Sequence, residues 1–204
     1  MAMSMTLIGI FVFVFVLQQS VGDFEIRFMD LVIGVANGEY YRLITSAFLH
    51  ASAIHLLFNS YALYFVGPRV DAIVGRLRFG VLFIVSAFGG SVVSYLTHPL
   101  ASASVGASGA VFGLFGATYV VLRRVRGDTR QITGLLVLNL ALGFLLPFIN
   151  WQAHLGGLVT GVALTAAFVY TPAKWRTAGH VAAVAAVLVL LAAMVVLRTQ
   201  ALTS

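Results

Sequence analysis

The chain predicts an all-α fold, a polytopic membrane helix bundle, on three observations. Hydrophobic residues make up 61% of its 204 residues and charged residues 9%, where a soluble domain carries about 25% charged. Mean hydropathy is +1.03. The apolar residues gather into runs of about 20, the length that crosses a hydrocarbon core, and none shows the period-2 alternation of a barrel strand. Inside hydrocarbon every backbone amide needs an internal partner, so the runs are expected to be helices.

Seven such runs follow one another, at 3–19, 52–68, 79–97, 104–122, 131–149, 151–170 and 179–198. The first begins almost at Met1. It has no charged leading region and no small-residue cleavage site after Leu17, which argues against a removable signal peptide. No soluble domain is expected before or after the apolar block. The second run opens within His50-Ala-Ser-Ala-Ile-His55, and the third follows a short basic loop. Gly106-Ala107-Ser108-Gly109 heads the fourth. Pro147 and Asn150-Trp151 part the fifth from the sixth by a very tight connection. Ala153-His154-Leu155-Gly156-Gly157 heads the sixth, and a linker with Lys174 and Arg176 leads to the seventh.

Loop charge orients the bundle. Arg69, Arg76 and Arg78 fall between runs two and three, Arg123, Arg124, Arg126 and Arg130 between four and five, and Lys174 and Arg176 between six and seven. Nine of the twelve basic residues thus lie in alternate loops, which assigns those loops and the amino terminus to the cytoplasm. The loop of about 20–51 holds Asp23, Glu25, Asp30 and Glu39, four of the six acidic residues, and belongs outside. Its apolar Phe24, Ile26, Phe28 and Leu31 suit a segment lying on the membrane surface. The net charge of +6 is accounted for by these loops. No basic stripe or aromatic platform accompanies it, so nucleic acid is not an expected partner. Cysteine is absent, which removes disulfides and thiolate metal sites.

Runs two, four and six all enter from the outside, so polar residues at their heads share one depth. His55 and Asn59, Ser108, and His154 lie about 5–10 Å along their helices at 1.5 Å per residue. A serine hydroxyl is a weak nucleophile at neutral pH and needs an adjacent base, which a neutral histidine supplies. Ser108 by itself would read as a packing residue. A histidine within a span reads as functional by default, and the shared depth joins the two. Gly109, Gly113 and Gly116 share one face of run four, and Gly157 and Gly161 form a small-xxx-small pair in run six. Such faces let membrane helices approach closely. Phe112, one turn below Ser108, is placed to stack on the imidazole. No Asp or Glu lies within a run, so the expected machinery is a Ser-His dyad. His55 and Asn59, at i and i+4, share a face and with the Ser108 backbone N–H could stabilise an oxyanion. A zinc site of His50, His55 and His154 is the competing reading; the H-E-x-x-H pattern is absent. Ser46, His50, Ser52, His55 and Asn59 could carry water inward, and Phe144 to Trp151 could form a lid. His98 and His180, near run ends, are read as interfacial.

These residues resemble the rhomboid family of intramembrane serine proteases over roughly residues 5–170. Gly106-Ala107-Ser108-Gly109 is similar to the family's G-x-S-G, the stretch Ala153 to Gly161 to its A-H-x-x-G-x-x-x-G, and His55 to Asn59 to its H-x-x-x-N. The resemblance implies Ser108 as nucleophile, His154 as base, and His55, Asn59 and the Ser108 backbone as oxyanion hole, with Gly106 beside that hole. Gly109, Phe112, Gly157, Gly161 and His50 are expected in support. It implies a six-helix core over 1–170, then 171–204 as a cytoplasmic linker and a seventh, C-terminal transmembrane helix. It implies a multi-pass cell-membrane protein with its site open to the outside, acting on single-span or multi-span membrane protein substrates in the lipid bilayer, with no cofactor and no metal. Two positions depart from the pattern: Tyr41-Arg42 stands for a Trp-Arg pair, and Phe112 for a frequent Tyr. The alternative function is a catalytically inactive relative that binds membrane clients, although both Ser108 and His154 are retained. A solute transporter would call for midplane charges and an inverted repeat, and neither is visible.

Overall fold

The computed structural model describes residues 3–146 and 148–203; Pro147, expected in the turn between runs five and six, lies outside the described residues. The apolar runs form long helices in the expected order. Helix α1 (Met3–Ser20) leads into an outer loop carrying three short helices, α2 (Phe24–Phe28), α3 (Val32–Ala36) and α4 (Arg42–Thr45). Then come α5 (Ala53–Val74), α6 (Arg76–Thr97), α7 (Ser108–Arg124), α8 (Arg130–Leu145), α9 (Trp151–Tyr170) and α10 (Arg176–Thr203). Among the described residues, α1, α6, α9 and the segment Ala173–Thr203 are each long and apolar enough to cross a bilayer. A fifth qualifies if Arg42–Phe48 and α5, bent by 91°, count as one broken span. Helices α7 and α8 are shorter, at 17 and 16 residues.

Helices α5 and α6 extend past their apolar runs for a common reason, whereas α7 starts four residues inside its expected run and α8 ends four residues short of its own. Basic side chains lie along helix surfaces with their charge at the interface, so α5 and α6 outlast their apolar stretches. Arg69, expected in a loop, lies inside α5, and Arg76 and Arg78 lie inside α6. Gly75 alone joins the two helices, at φ 85°, a conformation that favours glycine. Asp71 therefore also belongs to α5. It is buried and accepts a hydrogen bond from the Met3 backbone N–H at 2.9 Å, tying the start of α1 to the far end of α5. That end is 16 residues from His55, about 24 Å along the helix, so Asp71 is remote from the head of the helix.

The all-α expectation meets one exception, an antiparallel pair of β1 (Asp30–Leu31) and β2 (Ala103–Ser104) with Asp30 opposite Ser104. Two-residue strands are too short to show alternation. The pairing continues through the Val32 and Ile33 N–H groups, which donate to the Ser102 and Leu100 carbonyls. The outer loop is thereby stitched to the segment that leads into α7. Arg42, buried, holds the loop from within by donating to the Ile26 and Met29 carbonyls at 2.7 and 3.0 Å and to Glu39. Tyr41 at the departed position is exposed.

Helices α6, α7 and α9 make the middle of the bundle. Phe79, Leu82, Phe83, Leu114 and Leu164 are fully buried there. Helix α10 packs on α6 and α9 and is pinned at both ends. Arg78 Nε donates to His180 Nδ1 at 3.0 Å, while the Tyr95 hydroxyl meets Thr199 Oγ1 at 2.8 Å and Arg198 donates to the His98 carbonyl at 3.3 Å. His180 is buried within the protein, enclosed by Arg78 and by the ring of Phe168, 5.0 Å away.

Candidate active site

Ser108 is the first residue of α7. Gly106, just before it, has φ 130°, a value L-residues rarely adopt. A Cβ there would lie 2.5 Å from His55 Cε1 and 2.8 Å from His55 Nε2. Only glycine fits, and the His55 ring thus lies against the turn that delivers the serine. The Gly106 N–H donates to the Ser46 carbonyl at 2.9 Å. The first helical bond of α7 is Val111 N–H to the Ala107 carbonyl. The N–H groups of Ser108, Gly109 and Ala110 therefore have no acceptor within the helix, which leaves a positive terminus suited to an anion.

His154 lies in the first turn of α9 and is buried. Its ring lies flat against Phe112, with centroids 4.1 Å apart and an interplanar angle of 10°. Phe112 is one turn along α7 from Ser108, so the imidazole rests on the same helical face as the serine. The helices meet through glycine. A Cβ on Gly157 would collide with the Gly109 carbonyl, one on Gly161 with the Gly113 carbonyl, and one on Gly116 would sit 3.0 Å from the Leu158 carbonyl. Three consecutive turns of α7 thus touch α9 backbone to backbone. Among the described residues no hydrogen bond joins the Ser108 hydroxyl to His154, and His154 Nδ1 is buried without a partner.

His55 and Asn59 occupy the first two turns of α5, whose start is capped by Ser52 accepting from the His55 N–H at 3.1 Å. Asn59 is buried and its amide donates to the His55 carbonyl at 3.0 Å. One N–H of that amide remains for another acceptor. His50 packs against Phe11 and His55, with centroids 5.1 and 5.3 Å away. Both its nitrogens are buried without a partner among the described residues. Among the described residues no group of three or more His, Cys, Asp or Glu is arranged to hold a metal ion.

A crevice of about 30 Å³ opens beside the serine, lined among others by Ser46, Ser91, Ser104, Gly106, Ser108 and Asn150. That volume accommodates a water or two. Of the residues expected to conduct water, Ser46 lines it; Ser52 serves as a cap instead. In β1, opposite Ser104, both carboxylate oxygens of Asp30 are buried without a hydrogen-bond partner among the described residues. Burial pushes this carboxyl up to about 7, against the opposing pull of the Arg42 charge.

Asn150 is a site residue whose part was not foreseen. Its Oδ1 accepts from the Ala153 N–H at 3.0 Å, capping α9, and its Nδ2 donates to Ser94 Oγ on α6 at 2.7 Å. An Asn three residues before a helical N–H is a readable cap signal. Its partner, 56 positions away, has no signature in the chain.

A model of the rhomboid domain matches residues 37–171. The chain is 41% identical over 138 residues to YdcA of Bacillus subtilis, covering 65% of this chain and 69% of that one. It is 38% identical over 138 residues to the rhomboid protease GluP of the same organism, covering 65% and 27%. It is 36% identical over 151 residues to RHOMBOID-like protein 1 of Arabidopsis thaliana, covering 71% and 38%. The chain belongs to the rhomboid family, and its fold is that family's polytopic helical membrane bundle. The matched segment spans well under half the length of GluP and of the Arabidopsis protein.

Proposed function

We propose that this protein is an intramembrane serine endopeptidase that cleaves membrane proteins in or near their transmembrane segments with a Ser108-His154 dyad. The observation that carries the reading is the His154 ring stacked on Phe112, one turn from Ser108, across a glycine-lined contact of α7 and α9. Kinship with proteins named as rhomboid proteases supports the reaction class. In the mechanism this supports, His154 takes the proton of Ser108 Oγ as the oxygen attacks the scissile carbonyl. The negative oxygen of the tetrahedral intermediate is held by the free N–H groups at the head of α7, the second Asn59 N–H and the His55 ring. His154 then gives its proton to the departing amine. A water from the crevice attacks the acyl-enzyme, again losing its proton to His154, and Ser108 is restored. The neutral imidazole must carry its proton on the sealed Nδ1 for Nε2 to act as base. No metal or cofactor enters these steps.

The chain is proposed to cross the membrane seven times, as a six-helix core followed by α10. The amino terminus is placed in the cytoplasm of a cell membrane and the crevice toward the outside, because the basic residues gather at the opposite helix ends. The test is purified protein in liposomes with a panel of single-span substrates, the cuts mapped by mass spectrometry. Wild type is expected to cut within or beside the spans, with activity that survives a chelator. Ser108→Ala and His154→Ala are each expected to lose at least about 10³-fold. Cleavage by Ser108→Ala at the wild-type rate would refute the dyad. Client binding with no cleavage by wild type would favour the inactive relative.

A further inference from the structure

We propose that Asn150 and Ser94 act as a pair of positioning residues that set the imidazole of His154 over Phe112 for catalysis; this rests on the Ser108-His154 reading above. The need for such a pair follows from the ring itself. Among the described residues His154 Nδ1 is buried without a hydrogen-bond partner, and no carboxylate or carbonyl among them bonds to that nitrogen to orient the ring. Its position depends on the backbone of the first turn of α9 and on the stack against Phe112.

That first turn is held from three sides. The Asn150 carbonyl accepts the His154 N–H at 3.3 Å. The Ala153 carbonyl abuts both Gly90 of α6 and Gly109 of α7, where an added Cβ would come within 2.8 and 3.3 Å of it. The third restraint is the Asn150 side chain, which uses both ends of one amide. Oδ1 closes the turn on the Ala153 N–H, and Nδ2 ties that closed turn to Ser94 Oγ. Ser94 is buried on α6, a helix that carries neither the nucleophile nor the base. The glycine contacts set how near α9 comes to its neighbours. They are smooth and do not prevent rotation or sliding, whereas a directional hydrogen bond does. The tie lies only four residues from the base and fastens the head of α9 to α6, which packs against both α7 and α9.

Two substitutions separate the tie from the cap. Asn150→Ser keeps a good capping oxygen but is too short to reach Ser94. Ser94→Ala leaves the cap intact and removes the acceptor. With a single-span substrate that wild type cleaves, each is expected to lower kcat about 3- to 10-fold, the range for one lost hydrogen bond, while KM stays within about twofold. The double variant should be no slower than the slower single one, because both remove one interaction. Thermal midpoints of Ser94→Ala and wild type are measured beside the kinetics to show that the bundle is intact. Wild-type kcat in either single variant, losses that multiply in the double, or a rise in KM in place of the fall in kcat would overturn the proposal. A Ser108→Ala control keeps the two readings apart. If Ser108→Ala cleaves, the dyad falls; if it is inactive while Ser94→Ala and Asn150→Ser match wild type, the positioning role alone falls.

Discussion

Helices α7 and α8 follow one another in the chain and could hardly be packed more differently. Helix α7 buries an unbroken run from Gly109 to Ala117, and its glycines meet the backbone of α9. Helix α8 buries Ile132 and Gly143, exposes Val137, Leu138, Phe144 and Leu145, and has open space beside Gly134. In a bilayer, apolar exposure costs little because lipid is as apolar as leucine, so close packing rather than burial holds helices together. The contrast shows where geometric precision resides. It is spent on the helix that bears Ser108 and on its partner, and withheld from α8, which meets α7 and α9 lightly. The proposed dyad would need its hydroxyl and imidazole held in register without slack, whereas a peripheral helix can shift without disturbing them.

The sharpest way to break this contrast is to insert volume on the tight side. Gly157→Val would drive a side chain into the Gly109 carbonyl. Overpacking of this kind costs about 1–3 kcal/mol, and a 1 Å displacement of reacting groups about 10² in rate; a cleavage rate within twofold of wild type would contradict the packing account. Asn59→Ala, on α5, is expected to lower kcat by about 10²-fold or less, since the α7 N–H groups remain. Complete loss accompanied by a collapsed thermal midpoint would point to folding instead. Phe112→Leu removes the stack on His154 and keeps the volume apolar; a fall of up to about tenfold is expected, read as kcat on one substrate. On the loose side, Gly134→Ala meets nothing within 4 Å and should leave activity unchanged while adding about 0.5–1 kcal/mol of helix stability.

The outer loop offers a contrast in pH. The carboxyl of Asp30 is raised from 3.8 to about 7 by burial, so the folded loop holds the proton more tightly than the unfolded chain does. Stability from this group is full below about pH 4 and is lost as pH rises through about 7. Limited proteolysis of the loop is expected to speed up over that window in wild type and to be flat in Asp30→Asn. An equal slope in both would show that Asp30 is not responsible.

Much of this arrangement was legible in the chain because it is written in local spacing. The glycines at 109, 113 and 116 and at 157 and 161 announce a close helix pair, and Phe112 one turn from Ser108 announces the stack that the structure contains. Run lengths located the helices but not their ends, since Arg69, Arg76 and Arg78 extend helices beyond their apolar stretches. What stayed hidden depends on partners distant in sequence. Asp30 faces Ser104 across a two-residue pairing, His180 is enclosed by Arg78, and Asn150 reaches Ser94. None of these has a period or a fixed offset to betray it.

In the proposed dyad, His154 makes the Ser108 hydroxyl nucleophilic. The most direct measurement of that activation is covalent labelling of the liposome-embedded protein with a fluorophosphonate, with the adduct located by peptide mass spectrometry and its rate followed in wild type and His154→Ala. A single adduct is expected on Ser108, forming at least about 10²-fold more slowly without the imidazole. An adduct on another residue, or equal rates in the two proteins, would contradict it.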